Sequence, residues 1–316
     1  MEKVKKKIRW RRSIFIYGGL LWAVAHFAVF FIGMNVSTVI NSFFRLTVRG
    51  EMRFAGWDAY REVFRYMFGG KQNGMVSGRM FINNLSLVAL ALCINLPVTL
   101  VFSYMIFKKI RGNAVLRVML YMPCVVSVII LCLFFRIMVS GSATYKNLFT
   151  VLEKLGYSNK YVIQNGVLND RKTAWGAILI FSVWTGVNGN IIYFCSAMAR
   201  LPQSVTESAK LDGASDFRQF FQIVIPMIWP VITTMSITLI GGCISWYIPA
   251  QIIVGSENIA GSTGTSTVAW VIVNQVTGGA TVGFPAALGI VVGIIGSGFV
   301  LLFKFVMEKV YTEVEY

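Results

Sequence analysis

Residues 200–226 read Arg200-Leu-Pro-Gln-Ser-Val-Thr-Glu-Ser-Ala-Lys-Leu-Asp-Gly-Ala-Ser-Asp-Phe-Arg-Gln-Phe-Phe-Gln-Ile-Val-Ile-Pro226, a polar island between two long apolar runs, 174–198 and 231–253. Its punctuation is that of a folded unit. Ser204 and Glu207 stand three apart after Pro202, the spacing of a capping box, and Gly213 supplies a helix stop. Asp216 and Gln219 repeat the capping spacing ahead of an apolar run that ends at Pro226. The stretch predicts two short helices joined at Gly213. Small Ala209 and Gly213 would let another protein's surface approach, with Leu201, Val205 and Leu211 as apolar anchors.

The flanking apolar runs belong to a series. A hydrocarbon core about 30 Å thick takes about 20 apolar residues in a helix. Six runs reach that length: 14–37, 84–107, 118–139, 174–198, 231–253 and 284–307. With 56% hydrophobic and 13% charged residues and a mean hydropathy of +0.67, the chain is too apolar for a soluble domain of its size. The fold class is an all-α polytopic membrane protein with six transmembrane helices, which puts both ends on one side. The segments follow: a basic N-terminus over 1–13, the first membrane helix with its flank over 14–42, an external segment over 43–83, a core over 84–307 and a tail over 308–316.

The net charge of +16 invites a nucleic-acid reading, but its distribution decides against it. Lys3, Lys5, Lys6, Lys7, Arg9, Arg11 and Arg12 stand directly before the first apolar run, where retained cytoplasmic charge anchors topology. Basic density in the segments assigned inside is about twice that outside. The orientation is therefore N-in and C-in. The external segment carries Arg45, Arg49, Arg53, Arg61, Arg65, Lys71 and Arg79, but segments this long count less toward topology. Within it, Phe54 to Phe68 can form an amphipathic helix at the membrane surface.

Cys93, Cys124, Cys132, Cys195 and Cys243 all fall in apolar runs without C-x-x-C spacing, which argues against a disulfide framework or a zinc site. The first apolar run is longer than a signal-peptide core and lacks a small-x-small cleavage pattern, so it is expected to stay in the mature protein. Pro97 after Asn95, Pro123, and the cluster Asn188, Gly189 and Asn190 interrupt the second, third and fourth spans. Broken backbone at membrane depth needs protein or a wet cavity to satisfy it, so these helices are candidates for lining a pathway. Helix packing alone is the competing account. His26 has no carboxylate partner within the spans and reads as a packing residue, while Arg136 is expected to snorkel.

Residues 200–226 resemble the EAA loop of binding-protein-dependent transport permeases: Glu-Ala-Ala, three residues, Gly, nine residues, Ile-x-Leu-Pro. Glu207, Ala209, Gly213, Ile223 and Pro226 match at that spacing, and Asp212 and Ala214 flank the glycine as in carbohydrate-type members. Ser208 replaces one alanine of the pattern, the one between Glu207 and Ala209, and Ile225 replaces the leucine. The likeness extends over about 80–307, and Gly279, Gly283, Ala286 and Ala287 resemble the family's loop before its last helix. The resemblance implies the permease core of a type I ABC importer in a bacterial cytoplasmic membrane, surrounded by membrane lipid. It also implies as partners a second homologous permease, giving a heterodimer, an ATPase dimer docked at the loop, and an extracellular or periplasmic solute-binding protein. Glu207, Ala209 and Gly213 would carry coupling. The chain has no Gly-x-x-x-x-Gly-Lys-Ser/Thr loop, so ATP and Mg are expected on the ATPase, with no cofactor or metal on this chain and no enzymatic activity of its own. A DNA-reading helix-turn-helix is excluded, because membrane spans tether both ends of the unit.

A sugar offers hydroxyls to amides and an apolar C–H face to aromatic rings. Trp184, Asn188, Asn190 and Tyr193 on the fourth span, and Trp246, Tyr247 and Gln251 on the fifth, are the candidates for the substrate pathway. Interfacial belts and helix packing are the competing account of each. The solute class implied is a sugar or oligosaccharide, with a polyol, a glycerol phosphate or an amino acid as alternatives. An ion-coupled secondary transporter would need acidic groups inside the spans, and all six lack Asp and Glu.

Overall fold

The computed structural model describes residues 16–46, 51–68, 71–72, 75–76, 78–139, 167–169, 171–187, 189–254, 264–278 and 282–310. The N-terminal basic cluster, Asn188, Gly279 and the last six residues lie outside the described residues. The chain packs as two units, 1–64 with 275–291, and 65–274 with 292–316.

In the first unit, helix α1 (Ile16–Asn41) is apolar and exposed on every face, with none of its hydrophobic window buried. A helix apolar all round is stable only where something other than water surrounds it, which is the condition of a membrane span. A π-helical turn, Phe27–Ile32, interrupts it, and the His26 ring packs on Phe30 at 4.6 Å, as expected of a packing residue. Strands β1 (Phe44–Leu46) and β2 (Met52–Phe54) follow as an antiparallel hairpin with Arg45 opposite Arg53 and Phe44 opposite Phe54. The sequence predicts no element over residues 44–53, and the hairpin there is a finding of the structure. What stabilises it is long-range: Ala55 N donates to Phe43 O at 2.8 Å, and the Phe44 and Phe54 rings meet edge to face at 5.7 Å.

Helix α2 (Asp58–Phe68) matches the surface-helix expectation but starts four residues later than Phe54. It buries Ala59 and Val63 while Arg61 and Phe64 face outward. Ser42 and Tyr60 share a hydrogen bond of 2.8 Å, and Arg45 pairs with Glu62. Gly283, at the start of the last helix, lies so close to the Phe44 carbonyl that a Cβ there would collide with it.

The second unit is organised around helix α3 (Arg79–Phe107). It is α-helical over Arg79–Leu90, π-helical over Ala91–Asn95 and α-helical again over Leu96–Phe107. Pro97 explains the change of pitch: it has no N–H for the Cys93 carbonyl, and the wider turn relieves the ring. The third span, expected to be interrupted at Pro123, is the pair α4 (Asn113–Val125) and α5 (Val128–Val139), with a bend of 98° between them. Pro123 lies inside α4, and Val126 is extended at φ −81° and ψ 137°, which ends the helix. Arg136 is exposed, and its Nη1 also donates to Ile252 O at 3.4 Å.

The fourth span is likewise two helices, α6 (Ala174–Gly186) and α7 (Ile191–Ala199). Helix α8 (Gln203–Leu211) and helix α9 (Asp216–Met227) form the segment between membrane runs. Helix α10 (Trp229–Ile244) is bent 76° from α9. The expected fifth span, 231–253, stops at Ile244 and resumes as α11 (Ile248–Val254), so Trp246 and Tyr247 occupy a break rather than a helix. Helix α12 (Val268–Thr277) and the long α13 (Gly283–Val310) complete the described elements.

Among the described residues four helices are long and apolar enough to cross a membrane, and the two bent pairs bring the number to six if each is one span. The core of the second unit lies where α3, α7, α9 and α10 meet, around Leu100, Tyr104, Phe194, Met198, Phe220, Val224, Ile228 and Ile232.

Candidate functional site

Two places in the second unit gather chemistry, one in the segment 200–227 and one where α3, α6 and α10 converge. In the first, two helices joined at Gly213 form as predicted, but their caps are shifted. Helix α8 starts at Gln203 with Pro202 as its cap and no side-chain cap bond, so Ser204 is inside the helix. Helix α9 is capped by Ser215, whose hydroxyl accepts from Arg218 N at 3.3 Å, one residue before the expected Asp216. Ser215 is followed three residues later by Arg218 rather than Glu or Gln, so the capping-box spacing points to Asp216 and not to the residue that caps.

Gly213 adopts φ +72°, a left-handed conformation that side chains resist, and Ala214 N closes the turn onto Ala209 O at 2.9 Å. Glu207, Asp212 and Gly213 are exposed, as are Leu211 at 88% and Phe217 at 72%. Ala214, Ile223 and Pro226 are half-buried. Ala209 departs from expectation: it is 7% exposed, so it packs inside the chain rather than admitting a foreign surface. Leu201 likewise packs against the core cluster, which leaves Leu211 as the outward apolar anchor.

This segment is tied to the end of α3 by directional bonds that sequence reasoning missed. Lys108 Nζ donates to Asp216 Oδ1 at 2.8 Å and to Gln219 Oε1 at 2.7 Å. Tyr104 Oη donates to Asp216 O at 3.0 Å, and Gln219 Nε2 donates to Ala214 O at 2.7 Å. The Tyr104 ring lies 4.8 Å from that of Phe220. The Lys108 ammonium holds the Asp216 carboxyl below the usual carboxylate range. Burial would pull Lys108 down, but its bonds to Asp216 and Tyr104 outweigh that and leave it raised. A lysine at a helix end followed over a hundred residues later by an acidic cap carries no sequence signal.

At the second place, a cavity of about 220 Å³ is lined by Asn95, Ser182, Thr185, Thr238, Trp246 and aliphatic neighbours. Asn95 is 4% exposed, its Nδ2 reaches Ser182 O at 3.3 Å, and its Oδ1 has no partner among the described residues. Gly186 faces it, and a Cβ there would fall within the Asn95 amide. Below Asn95 on α3, Thr99 Oγ1 lies 3.1 Å from Val187 O, and Ser103 Oγ lies 3.4 Å from Ile191 O. Each hydroxyl has one proton and a shorter partner within α3, Asn95 O at 2.6 Å for Thr99 and Thr99 O at 2.7 Å for Ser103, so the carbonyls at the break between α6 and α7 share these donors. At the break after α10, Asn84 Nδ2 donates to Cys243 O at 3.0 Å and Thr267 Oγ1 to Trp246 O at 2.9 Å.

Of the seven residues proposed for a pathway, Trp246 lines this cavity. Trp184, Tyr193 and Gln251 are exposed, Asn190 and Tyr247 are half-buried, and none of the five lines it. Asn188 lies outside the described residues. Asn95, Ser182, Thr185 and Thr238 were not singled out as contacts; the Asn95-x-Pro97 interruption was the available signal. Among the described residues no group of three or more His, Cys, Asp or Glu is placed to hold a metal ion.

The family described as binding-protein-dependent transport system inner membrane component matches residues 96–311. The arabinooligosaccharides transport system permease protein AraP of Bacillus subtilis (strain 168) is 26% identical over 274 residues, 86% of this chain and 82% of that protein. The sn-glycerol-3-phosphate transport system permease protein UgpA of Yersinia pseudotuberculosis serotype I (strain IP32953) is 29% identical over 154 residues, 48% of this chain and 49% of that one. A chain in the crystal structure of a bacterial ABC transporter involved in the import of the acidic polysaccharide alginate superimposes with a TM-score of 0.76 at 18% identity, over 97% of this chain and 99% of that chain. This last likeness is one of fold.

Proposed function

The chain belongs to the binding-protein-dependent transport system inner membrane components, and on that premise we propose that it is one permease of a two-permease importer that passes a sugar or oligosaccharide into the cytoplasm. In this reading the membrane is a bacterial cytoplasmic membrane, with N- and C-termini inside. A solute-binding protein delivers the solute from outside, and an ATPase dimer that holds ATP and Mg docks at the exposed segment around Gly213. Glu207, Asp212 and Gly213 face the ATPase, while Ala209, Ala214, Ile223 and Pro226 set the shape of the segment. The name of the AraP relative supports an oligosaccharide. That of the UgpA relative supports the wider class of polyhydroxylated solutes.

The observation that carries the solute reading is the Asn95 carbonyl oxygen, buried beside Trp246 without a protein donor among the described residues. Asn95 Oδ1 is covered in this structure, so a sugar hydroxyl can donate to it only once the wall between α3 and α6 opens, while Ser182, Thr185 and Thr238 bring hydroxyls and Trp246 an aromatic ring to the same largely apolar cavity. Among the described residues no charged side chain lines the cavity, which suits a neutral ring better than a phosphate or an amino acid. The test is uptake by the reconstituted importer of neutral oligosaccharides, glycerol phosphate and amino acids, each supplied with its own solute-binding protein. Uptake of an oligosaccharide that falls in Asn95→Leu supports the reading; uptake of amino acids alone overturns it.

A further inference from the structure

Helix α3 has the Lys108 bonds just past one end and the cavity beside its middle, from Leu87 to Asn95. Between them Leu96–Phe107 runs as 12 uninterrupted α-helical residues, about 18 Å at the usual rise. On the far side stands the π-helical turn Ala91–Asn95, a local change of pitch of the kind found at hinges and functional sites. The element that presents Asn95 to the cavity is thus also the element that the segment around Gly213 grips.

The grip is built for direction rather than adhesion. The apolar cluster around Phe220 and Val224 already holds α9 against α3, and such contacts tolerate sliding. Lys108 adds bonds to two acceptors one turn apart on α9, and Tyr104 adds a third to its backbone. Gln219, 3% exposed, passes the constraint back to Ala214 beside the glycine turn. The backbone just past Lys108 is also held in an unusual state, with Lys109 at φ +53°.

We infer that Lys108, with Asp216 and Gln219, is the joint through which displacement of the segment 203–227 turns the rod Leu96–Phe107 and moves Asn95 at the cavity. This rests on the reading of that segment as the ATPase dock. Lys108 is a positioning residue in this scheme: it touches neither solute nor nucleotide, and it makes the position of Asn95 depend on the position of α9.

The test is the importer reconstituted in nanodiscs with its ATPase and solute-binding protein. Three quantities are read: recovery of the ATPase with the permeases, basal hydrolysis, and hydrolysis stimulated by loaded binding protein. Lys108→Met is expected to keep the first two and to lower stimulation about tenfold, an ordinary size for coupling between sites. Gln219→Leu, which leaves the Asp216 bond in place, should lower it less. Lys108→Arg should restore stimulation because it can still donate to both acceptors. Full stimulation in Lys108→Met, with Gly213→Glu inactive, overturns the joint and leaves the dock standing. Full stimulation in Gly213→Glu overturns the dock and the joint with it. Loss of the ATPase or of basal hydrolysis in both Lys108→Met and Gln219→Leu overturns the joint in favour of a brace.

Discussion

Gly186 and Asn95 are matched across the cavity wall: the Asn95 amide occupies the space that any Cβ at position 186 would need. The fit places the amide of one helix directly against the backbone of another. Gly186→Ala therefore has to displace Asn95 or push α6 away from α3. Overpacking of this kind costs about 1–3 kcal/mol. Thermal unfolding in detergent should show the loss, and uptake should fall with it. Unchanged uptake would mean that the position of Asn95 does not matter to transport.

The hydroxyls of Thr99 and Ser103 are shared between carbonyls of their own helix and the Val187 and Ile191 carbonyls at the break between α6 and α7. Thr99→Val keeps the shape and removes the hydroxyl. Interhelical hydrogen bonds in membranes average about 0.6 kcal/mol and reach about 1.7, so a loss in that range is expected. A midpoint of unfolding identical to the parent's would show that the Val187 carbonyl finds another donor.

Gly213 has no atom within 4 Å of where a Cβ would stand, so its constraint is conformational rather than steric crowding by neighbours. Gly213→Ala should cost about 1 kcal/mol through the left-handed backbone alone. Gly213→Glu adds bulk and charge on an exposed face; it should insert normally and abolish solute-stimulated hydrolysis. Membrane fractionation and hydrolysis assays separate the two effects.

The Lys108–Asp216 pair makes a pH prediction with a definite sign. Because Asp216 is held below the usual carboxylate range, its contribution is present above the ordinary carboxylate pKa and is lost as pH falls through the lowered value. The Asp216 side chain is 75% exposed, so the effect is small and weakens with salt. Stimulated hydrolysis followed from neutral to acid pH should show a decline that is absent in Asp216→Asn. Identical profiles would remove the pair from the active cycle.

Lys109 adopts a left-handed backbone without being glycine. Lys109→Gly should raise stability by about 1 kcal/mol, measured as a higher unfolding midpoint. A lowered midpoint would show that the Lys109 side chain repays more than the strain.

Much of the second unit was legible in advance, and the reasons differ by residue. Gly213 announced a turn because few residues other than glycine accept φ +72° cheaply, and Pro97 announced an interruption because it lacks an N–H. Ser215 was missed as a cap because Asp216, with Gln219 three residues on, has the capping-box spacing and Ser215 has Arg218 there; the extended backbone at φ −62° and ψ 157° is what makes Ser215 the cap. Trp246 was found as an aromatic near midspan, but Tyr193 and Gln251, equally good by composition, face away from the cavity.

By itself the sequence determined what any local window can hold: apolar runs long enough for a membrane, prolines and glycines where helices break, and the punctuation of the segment 200–226. Tertiary structure alone decided which polar groups meet. Asn95 reaches Ser182, and Lys108 reaches Asp216, across 87 and 108 residues. A hydrogen bond forms within about 3 Å and in one direction, whereas hydropathy is a sum over a window. The first kind of information exists only once the helices have chosen their neighbours.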